Sequence, residues 1–302
     1  MPAAPIQRIA LIGFGEAGGI LGTDLARAGA EVTMFDILLR AESARSAMLT
    51  KAKNANVRAC ESLADAVQNA DLMISAVTCS AAPAVAKESA AALRPHQIHL
   101  DINSVSPDGK REMAACVEAA GAGFVEAAVM APVPPQRLRV PMLLGGTRAA
   151  DLAPRLQALG MDAKFVSERI GIASAIKMCR SVIIKGLEAL VVESMFAARR
   201  YGAEEAVLAS LDASYPHMGW NEKLPDYLIS RAAEHGKRRA NEMREVAETL
   251  ASAGIDPLMS LATAERDDWL VNEMAERGVA YDPTKPFSWR ALADTLAKVR
   301  TP

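Results

Sequence analysis

The feature that most narrows the possible folds of this chain is a glycine turn in a particular setting. Gly13-Phe14-Gly15-Glu16-Ala17-Gly18 follows the apolar run Ile6–Ile12 and opens a helical pattern over Glu16–Gly29. In such a turn the first glycine permits the tight bend and the second lets a pyrophosphate approach the backbone. The third lets helix and strand pack closely. N–H groups at the helix start then face the phosphates. A second apolar run, Glu31–Phe35, ends in Asp36. A carboxylate there accepts hydrogen bonds from an adenosine ribose 2′-OH and repels a 2′-phosphate, which favours NAD over NADP. Arg40 and Arg45 weigh the other way, so NADP stays open.

The same alternation continues. Asp71–Val77, Gln97–Ile102, Gly123–Val129, Val140–Gly145 and Ala163–Val166 read as strands. Leu63–Asn69, Ala81–Leu93, Pro107–Ala120 and Ala149–Ala158 read as helices between them. Nearly unbroken apolar strands separated by helices predict a doubly wound, mainly parallel sheet of Rossmann type, covered on both faces. Ligands bind outside the carboxyl ends of such strands, so Val77-Thr78 and Asn103-Ser104 are expected to line the cofactor cleft. Ser106-Pro107 also has the form of a helix entry, serine at N-cap and proline at N1.

The pattern changes near Gly171. Ile172–Tyr201 has neither strand punctuation nor proline and predicts one long helix between two domains. Helical segments follow, interrupted at Pro216, Pro225, Pro257 and Pro283. The expected division is a dinucleotide-binding domain over residues 1–168 and an all-helical substrate and dimerisation domain over 169–302. Apolar helices in a single layer would leave a face in water, which predicts a homodimer.

Composition removes other classes of partner. The 34 basic and 36 acidic residues leave a net charge of −2, no general attraction for nucleic acid or an anionic membrane. No apolar run approaches the roughly 20 residues of a membrane-spanning helix. The N-terminus lacks the form of a secretion signal. Cys60, Cys79, Cys116 and Cys179 are scattered, as expected of reduced thiols in the cytoplasm. His96 and His99 flank a strand without cysteine partners, so no metal site is expected.

One stripe of the long helix is polar. Ser174, Lys177, Ser181, Lys185 and Glu188 are spaced by 3, 4, 4 and 3 residues and share a face. A buried lysine needs a partner or a role, and desolvation lowers its pKa toward the range useful for proton transfer. Spacing alone leaves Lys177 and Lys185 open.

Taken together, these residues resemble the β-hydroxyacid dehydrogenase family, which includes 3-hydroxyisobutyrate and 6-phosphogluconate dehydrogenases. Gly13–Gly18 with Asp36 looks like its cofactor fingerprint. Gly171-Ile-Ala173-Ser-Ala-Ile-Lys177-Met-Cys-Arg-Ser181 looks like its G-x-G-x-x-x-K-x-x-x-N segment. The resemblance covers nearly the whole chain and is strongest to a phosphogluconate-dehydrogenase-like branch. It implies Lys177 as general acid/base and Ser181 as the residue that positions the substrate oxygen.

The departures are specific. Ala173 replaces a glycine and Ser181 an asparagine. The family's D-A-P-V-S-G-G loop corresponds to Glu126-Ala-Ala-Val-Met130-Ala131-Pro132, without its serine or glycines. The lysine–aspartate pair of the last domain falls on Asn241 and Glu242. These changes predict a bulkier, partly apolar hydroxy acid beside Ser104, Met130, Ala131 and Pro132. The aromatic-rich stretch Tyr215–Trp220 contributes Trp220, and Arg180, Arg238 and Arg239 are candidate carboxylate partners because an arginine fork matches a carboxylate. The expected activity is hydride transfer between a nicotinamide cofactor and a hydroxyl carbon. The alternatives are an imine reductase, which shares the architecture but usually lacks the lysine, and a catalytically silent NAD(H)-binding regulator.

Overall fold

The computed structural model describes residues 5–297. The chain divides into two compact units after Lys177.

The first unit is an eight-stranded sheet: β1 (Arg8–Ile12), β2 (Glu31–Phe35), β3 (Arg58–Ala59), β4 (Leu72–Ser75), β5 (Ile98–Asp101), β6 (Gly123–Val129), β7 (Met142–Gly145) and β8 (Ala163–Ser167). Its order is β3-β2-β1-β4-β5-β6-β7-β8. All neighbours are parallel except β6 and β7, where Glu126 faces Gly145 and Val129 faces Met142. The helices between the strands are α1 (Glu16–Arg27), α2 (Glu42–Asn54), α3 (Leu63–Val67), α4 (Ala82–Ala92), α5 (Pro107–Ala119), α6 (Val133–Gln136) and α7 (Ala149–Ala158). The doubly wound, mainly parallel fold expected from the alternation is the fold observed.

The central strands are apolar because both faces are covered. Leu72, Met73 and Ile74 of β4 and Leu100 of β5 are fully buried, each worth about 1.5–3 kcal/mol against exposure. Ser106 caps α5 as its sequence implies, its hydroxyl accepting from the Gly109 N–H. Helix α2 has no counterpart in the periodicity, because it lies on the surface and buries only Met48 and Ala52. Strand β3 is two residues long, too short for a pattern.

The long helix predicted over Ile172–Tyr201 is present as α8, its first turns in the first unit. Within the second unit, α8 continues and is followed by α9 (Glu204–Ser214), α10 (Leu224–Ser252), α11 (Leu258–Glu276) and α12 (Trp289–Ala297). Val192, Met195, Ile229, Leu270 and Trp289 form the centre of its core. Pro225 lies in the first turn of α10 and Pro257 is the N-cap of α11, positions where a proline does not break a helix. Gly236 lets α10 and α11 approach. A Cβ there would stand 2.6 Å from Val271 Cγ1 and 2.9 Å from the Asp267 carbonyl oxygen.

Candidate active site

The three glycines of the turn are required for different reasons. Gly13 has φ +88°, and a Cβ on it would stand 2.4 Å from the Ala76 carbonyl oxygen. A Cβ on Gly18 would lie 2.0 Å from the Gly13 carbonyl oxygen, so helix and strand could not close up. Gly15 has neither constraint. Its φ is −65° and nothing lies within 4 Å of where its Cβ would be. The bare face at Gly15 therefore serves no packing inside the chain and leaves room for a ligand against the N-terminus of α1. That open cradle fits a dinucleotide pyrophosphate. Glu16 is exposed and Ala17 half-buried at the helix start, while Phe14 points into the core.

Asp36 is buried at the end of β2. Its Oδ2 accepts from the Phe14 N–H at 2.6 Å and its Oδ1 from the Leu38 N–H at 3.0 Å. The carboxylate thus ties the second strand end to the glycine turn. Of the two nearby arginines, Arg45 is engaged with Glu61 and the Leu39 carbonyl, and Arg40 lies 5.0 Å over the Phe35 ring. Sequence reasoning did not find Lys51. Its ammonium donates to the carbonyls of Phe14 and Gly15, both at 2.6 Å, and its Cε would be 2.8 Å from a Cβ on Gly19. The fourth glycine of the run, adjacent to Gly18, was the available signal.

At the carboxyl end of β4, Val77 is half-buried and Thr78 exposed. At the end of β5 the polar side chains form a buried network. The Asn103 amide donates to Ser75 Oγ at 2.9 Å and also to the Asp101 carboxylate. Asp101 is in turn ion-paired with Lys110 of α5, both fully buried. His99, below them, shares a 2.8 Å hydrogen bond with Ser89, and burial pushes its pKa down to about 4. Asn103 therefore braces the two strand ends, and its neighbour Ser104 is left half-buried at the edge.

Ser104 Oγ accepts from Lys177 Nζ at 2.6 Å. Lys177, half-buried, is the sixth residue of α8, and side chains on a helix lean toward its N-terminus. The start of that helix is held by Glu126 of β6. The fully buried carboxylate accepts from the N–H groups of Gly171 (2.7 Å), Ala173 (3.1 Å) and Ser174 (3.3 Å), and from Ser174 Oγ (2.7 Å). Past the end of β6, Met130 and Ala131 are half-buried and Pro132 is exposed. The Met130 N–H is spent on the Pro141 carbonyl at 2.9 Å, and Pro132 has none to give. This segment offers few backbone donors to a carboxylate.

In the second unit, Lys185 donates to Glu242 at 2.6 Å, and Arg238 reaches the same carboxylate at 2.9 Å. Burial lowers the Lys185 pKa, and Glu242 opposes the shift. So of the two lysines that spacing left open, one meets a hydroxyl at a strand end and the other is ion-paired among helices. Glu188 is ion-paired with Arg239, and Asp267 of α11 is buried close by, with no hydrogen-bond partner on either oxygen among the described residues. Burial pushes Asp267 up to about 7, with Arg239 opposing. Ser181 is buried, while Arg180, Arg238 and Asn241 are exposed; Asn241 accepts from Arg244 at 3.3 Å. Trp220 is buried in the core of this unit, whereas Tyr215, His217 and Met218 are exposed. Among the described residues, no group of three or more His, Cys, Asp or Glu side chains is placed to hold a metal ion, and no helix is long and apolar enough to cross a membrane.

A mainly parallel sheet with a glycine cradle at α1 and polar strand ends at β4 and β5 defines a dinucleotide-binding fold. Comparison with known proteins agrees. Residues 8–166 match the NAD binding domain of 6-phosphogluconate dehydrogenase, and residues 198–270 match a domain of unknown function, DUF1932. A conserved hypothetical protein from Sinorhizobium meliloti 1021 is 37% identical, with 97% of this chain and 96% of that one covered and a TM-score of 0.78. MTH1747, a conserved protein described as structurally similar to 3-hydroxyacid dehydrogenases, is 30% identical with a TM-score of 0.71. There 90% of this chain and all (100%) of that one are covered. The mitochondrial 3-hydroxyisobutyrate dehydrogenase of Drosophila melanogaster is 25% identical over 222 residues, 72% of this chain and 66% of the relative. The chain belongs to the 3-hydroxyacid dehydrogenase-like family.

Proposed function

We propose that this protein is an NAD-dependent dehydrogenase that oxidises the hydroxyl of a hydroxy acid bulkier than 3-hydroxyisobutyrate, with Lys177 as the general acid/base. The observation that carries the reading is the 2.6 Å contact between Lys177 and Ser104, at the carboxyl end of β5 where a substrate would meet the cofactor. A bound nicotinamide supplies the hydride acceptor. Lys177 takes the hydroxyl proton on oxidation and returns it on reduction. Ser104 holds the lysine at the carboxyl end of β5, and Ser181 orients the substrate oxygen. An acid–base lysine favours alcohol chemistry over imine reduction.

The preference for NAD rests on Asp36, whose buried carboxylate stands at the end of β2, and on Arg45, which is committed to Glu61. The preference for a bulkier substrate rests on Met130 and Pro132, which supply apolar surface where small residues and backbone donors would grip a compact acid. Arg180 and Arg238, both exposed, are the candidate carboxylate partners in the second unit. A homodimer is supported by apolar side chains left in solvent there: Ile183 is 70% and Leu190 54% exposed, as are Leu258 at 67% and Met259 at 54%.

The test is nicotinamide absorbance against time with NAD and NADP over small, branched and aryl-bearing hydroxy acids, with wild type and Lys177→Ala side by side. NAD-linked turnover that disappears in the variant is the expected result. Best turnover with small unbranched acids would defeat the size argument, and none across the panel the dehydrogenase reading. Light scattering at micromolar concentration decides the oligomer; a monomer would count against the dimer.

A further inference from the structure

Helix α8 begins without a cap of its own. Arg169-Ile170-Gly171 precedes it, and none of these residues carries the Ser, Thr, Asp or Asn side chain that accepts from the first turn. The orphan donors are met from another element. Glu126 lies in the middle of β6, an otherwise apolar strand, and its two oxygens take three backbone N–H groups and the Ser174 hydroxyl. The site is built around this side chain. Gly145 on the neighbouring strand has no Cβ, and one there would stand 2.5 Å from Glu126 Oε1. Gly171 adopts φ +99°, a conformation that favours glycine, and a Cβ on it would come within 2.5 Å of Arg111 Nη1.

A buried carboxylate without a paired cation is costly unless dipoles surround it, and a helix N-terminus supplies them. A strand residue is an expensive way to close a helix end that a serine could cap locally. What the longer route achieves is registration, because the helix that carries Lys177 is tied to the sheet that carries Ser104. We propose that Glu126 is a positioning residue for Lys177: it fixes the first turn of α8 against the sheet and so sets where the ammonium meets Ser104. This rests on the reading of Lys177 as the acid/base, but its test does not need turnover.

The experiment pulses the full-length protein with acetic anhydride at one pH and reads acetylation of each lysine by peptide mass spectrometry. The exposed Lys87 of α4 is the internal reference. In Glu126→Gln one oxygen becomes an NH₂ that faces donors. The Lys177-to-Lys87 labelling ratio is expected to rise by roughly fivefold, about what one ordinary hydrogen bond carries. Glu126→Asp, which keeps the charge, is expected to bring the ratio back toward wild type. An unchanged ratio in folded Glu126→Gln, or an equal rise at both lysines, overturns the proposal. Should Glu126→Gln not fold, Ser174→Ala removes one of the four bonds; an elevated ratio there supports the proposal and an unchanged one overturns it. A labelling shift in a protein with no dehydrogenase turnover would leave this role standing while the activity assigned to Lys177 falls.

Discussion

Lys177 donates to Ser104 across 2.6 Å, from the second turn of α8 to the carboxyl end of β5. In the function proposed above, a reacting hydroxyl is received beside this pair, at the carboxyl end of the sheet. Removing an acid/base group typically costs a factor of about 10²–10⁴ in rate. Lys177→Ala is expected to lose that much in kcat while its affinity for the dinucleotide is retained. Ser104→Ala, which releases the lysine, is expected to lose roughly tenfold. Steady-state kinetics with parallel cofactor titration checks both.

Gly15 and Gly18 separate ligand binding from folding. Gly15→Ala meets no atom of the chain, so the fold should be kept while dinucleotide affinity falls. Gly18→Ala drives a methyl to 2.0 Å from a backbone oxygen and should cost about 1–3 kcal/mol or more in stability. Thermal melts with and without NAD distinguish the two. Equal loss of stability in both variants would contradict the role given to Gly15.

Asp36 does two things at once, holding the Phe14 N–H and presenting negative charge at the end of β2. Asp36→Ala is expected to weaken NAD about tenfold and to narrow the gap between NAD and NADP, since the repulsion of a 2′-phosphate goes with the carboxylate. Fluorescence titration of both cofactors reads this directly. An unchanged NAD-to-NADP ratio would exclude Asp36 as the discriminating group.

Two buried groups should give opposite pH dependences. Burial holds Asp267 at about 7 against an ordinary 3.8, so between those values the folded state carries a proton that the unfolded chain has lost. Stability from this source falls as pH rises from about 4 to about 7. Burial holds His99 at about 4 against 6.5, so in that interval the unfolded chain takes the proton instead. Stability from this source falls as pH drops from about 6.5 to about 4. The slopes oppose each other in wild type. Asp267→Asn should reveal stability that rises with pH across this window, and His99→Gln stability that falls. Melting temperatures at half-unit pH steps test the pair.

Much of this was legible in the sequence because it is repetitive or local. The alternation of apolar strands and helices marked the sheet, the turn at Gly13–Gly18 marked the phosphate end, and Ser106-Pro107 marked the start of α5. What stayed hidden depends on pairs far apart in the chain. Lys51 reaches the glycine turn from 36 residues away, and Glu126 reaches Ser174 from 48. Helix α2 carries no local sign of its contact, and the lone charge of Glu126 in apolar β6 does not say which segment it meets. Burial was equally illegible at Trp220, where an aromatic-rich stretch reads alike whether it lines a pocket or fills a core.

The clasp at the start of α8 has a bearing on how such proteins can be recombined. Glu126, the missing side chain at Gly145 and the turn at Gly171 are one fitted set spread over three elements. A chimera joined anywhere between residues 126 and 174 would inherit a carboxylate from one parent and its receptor from another. Joined outside that interval, the carboxylate and the turn that receives it travel together as one heritable cargo.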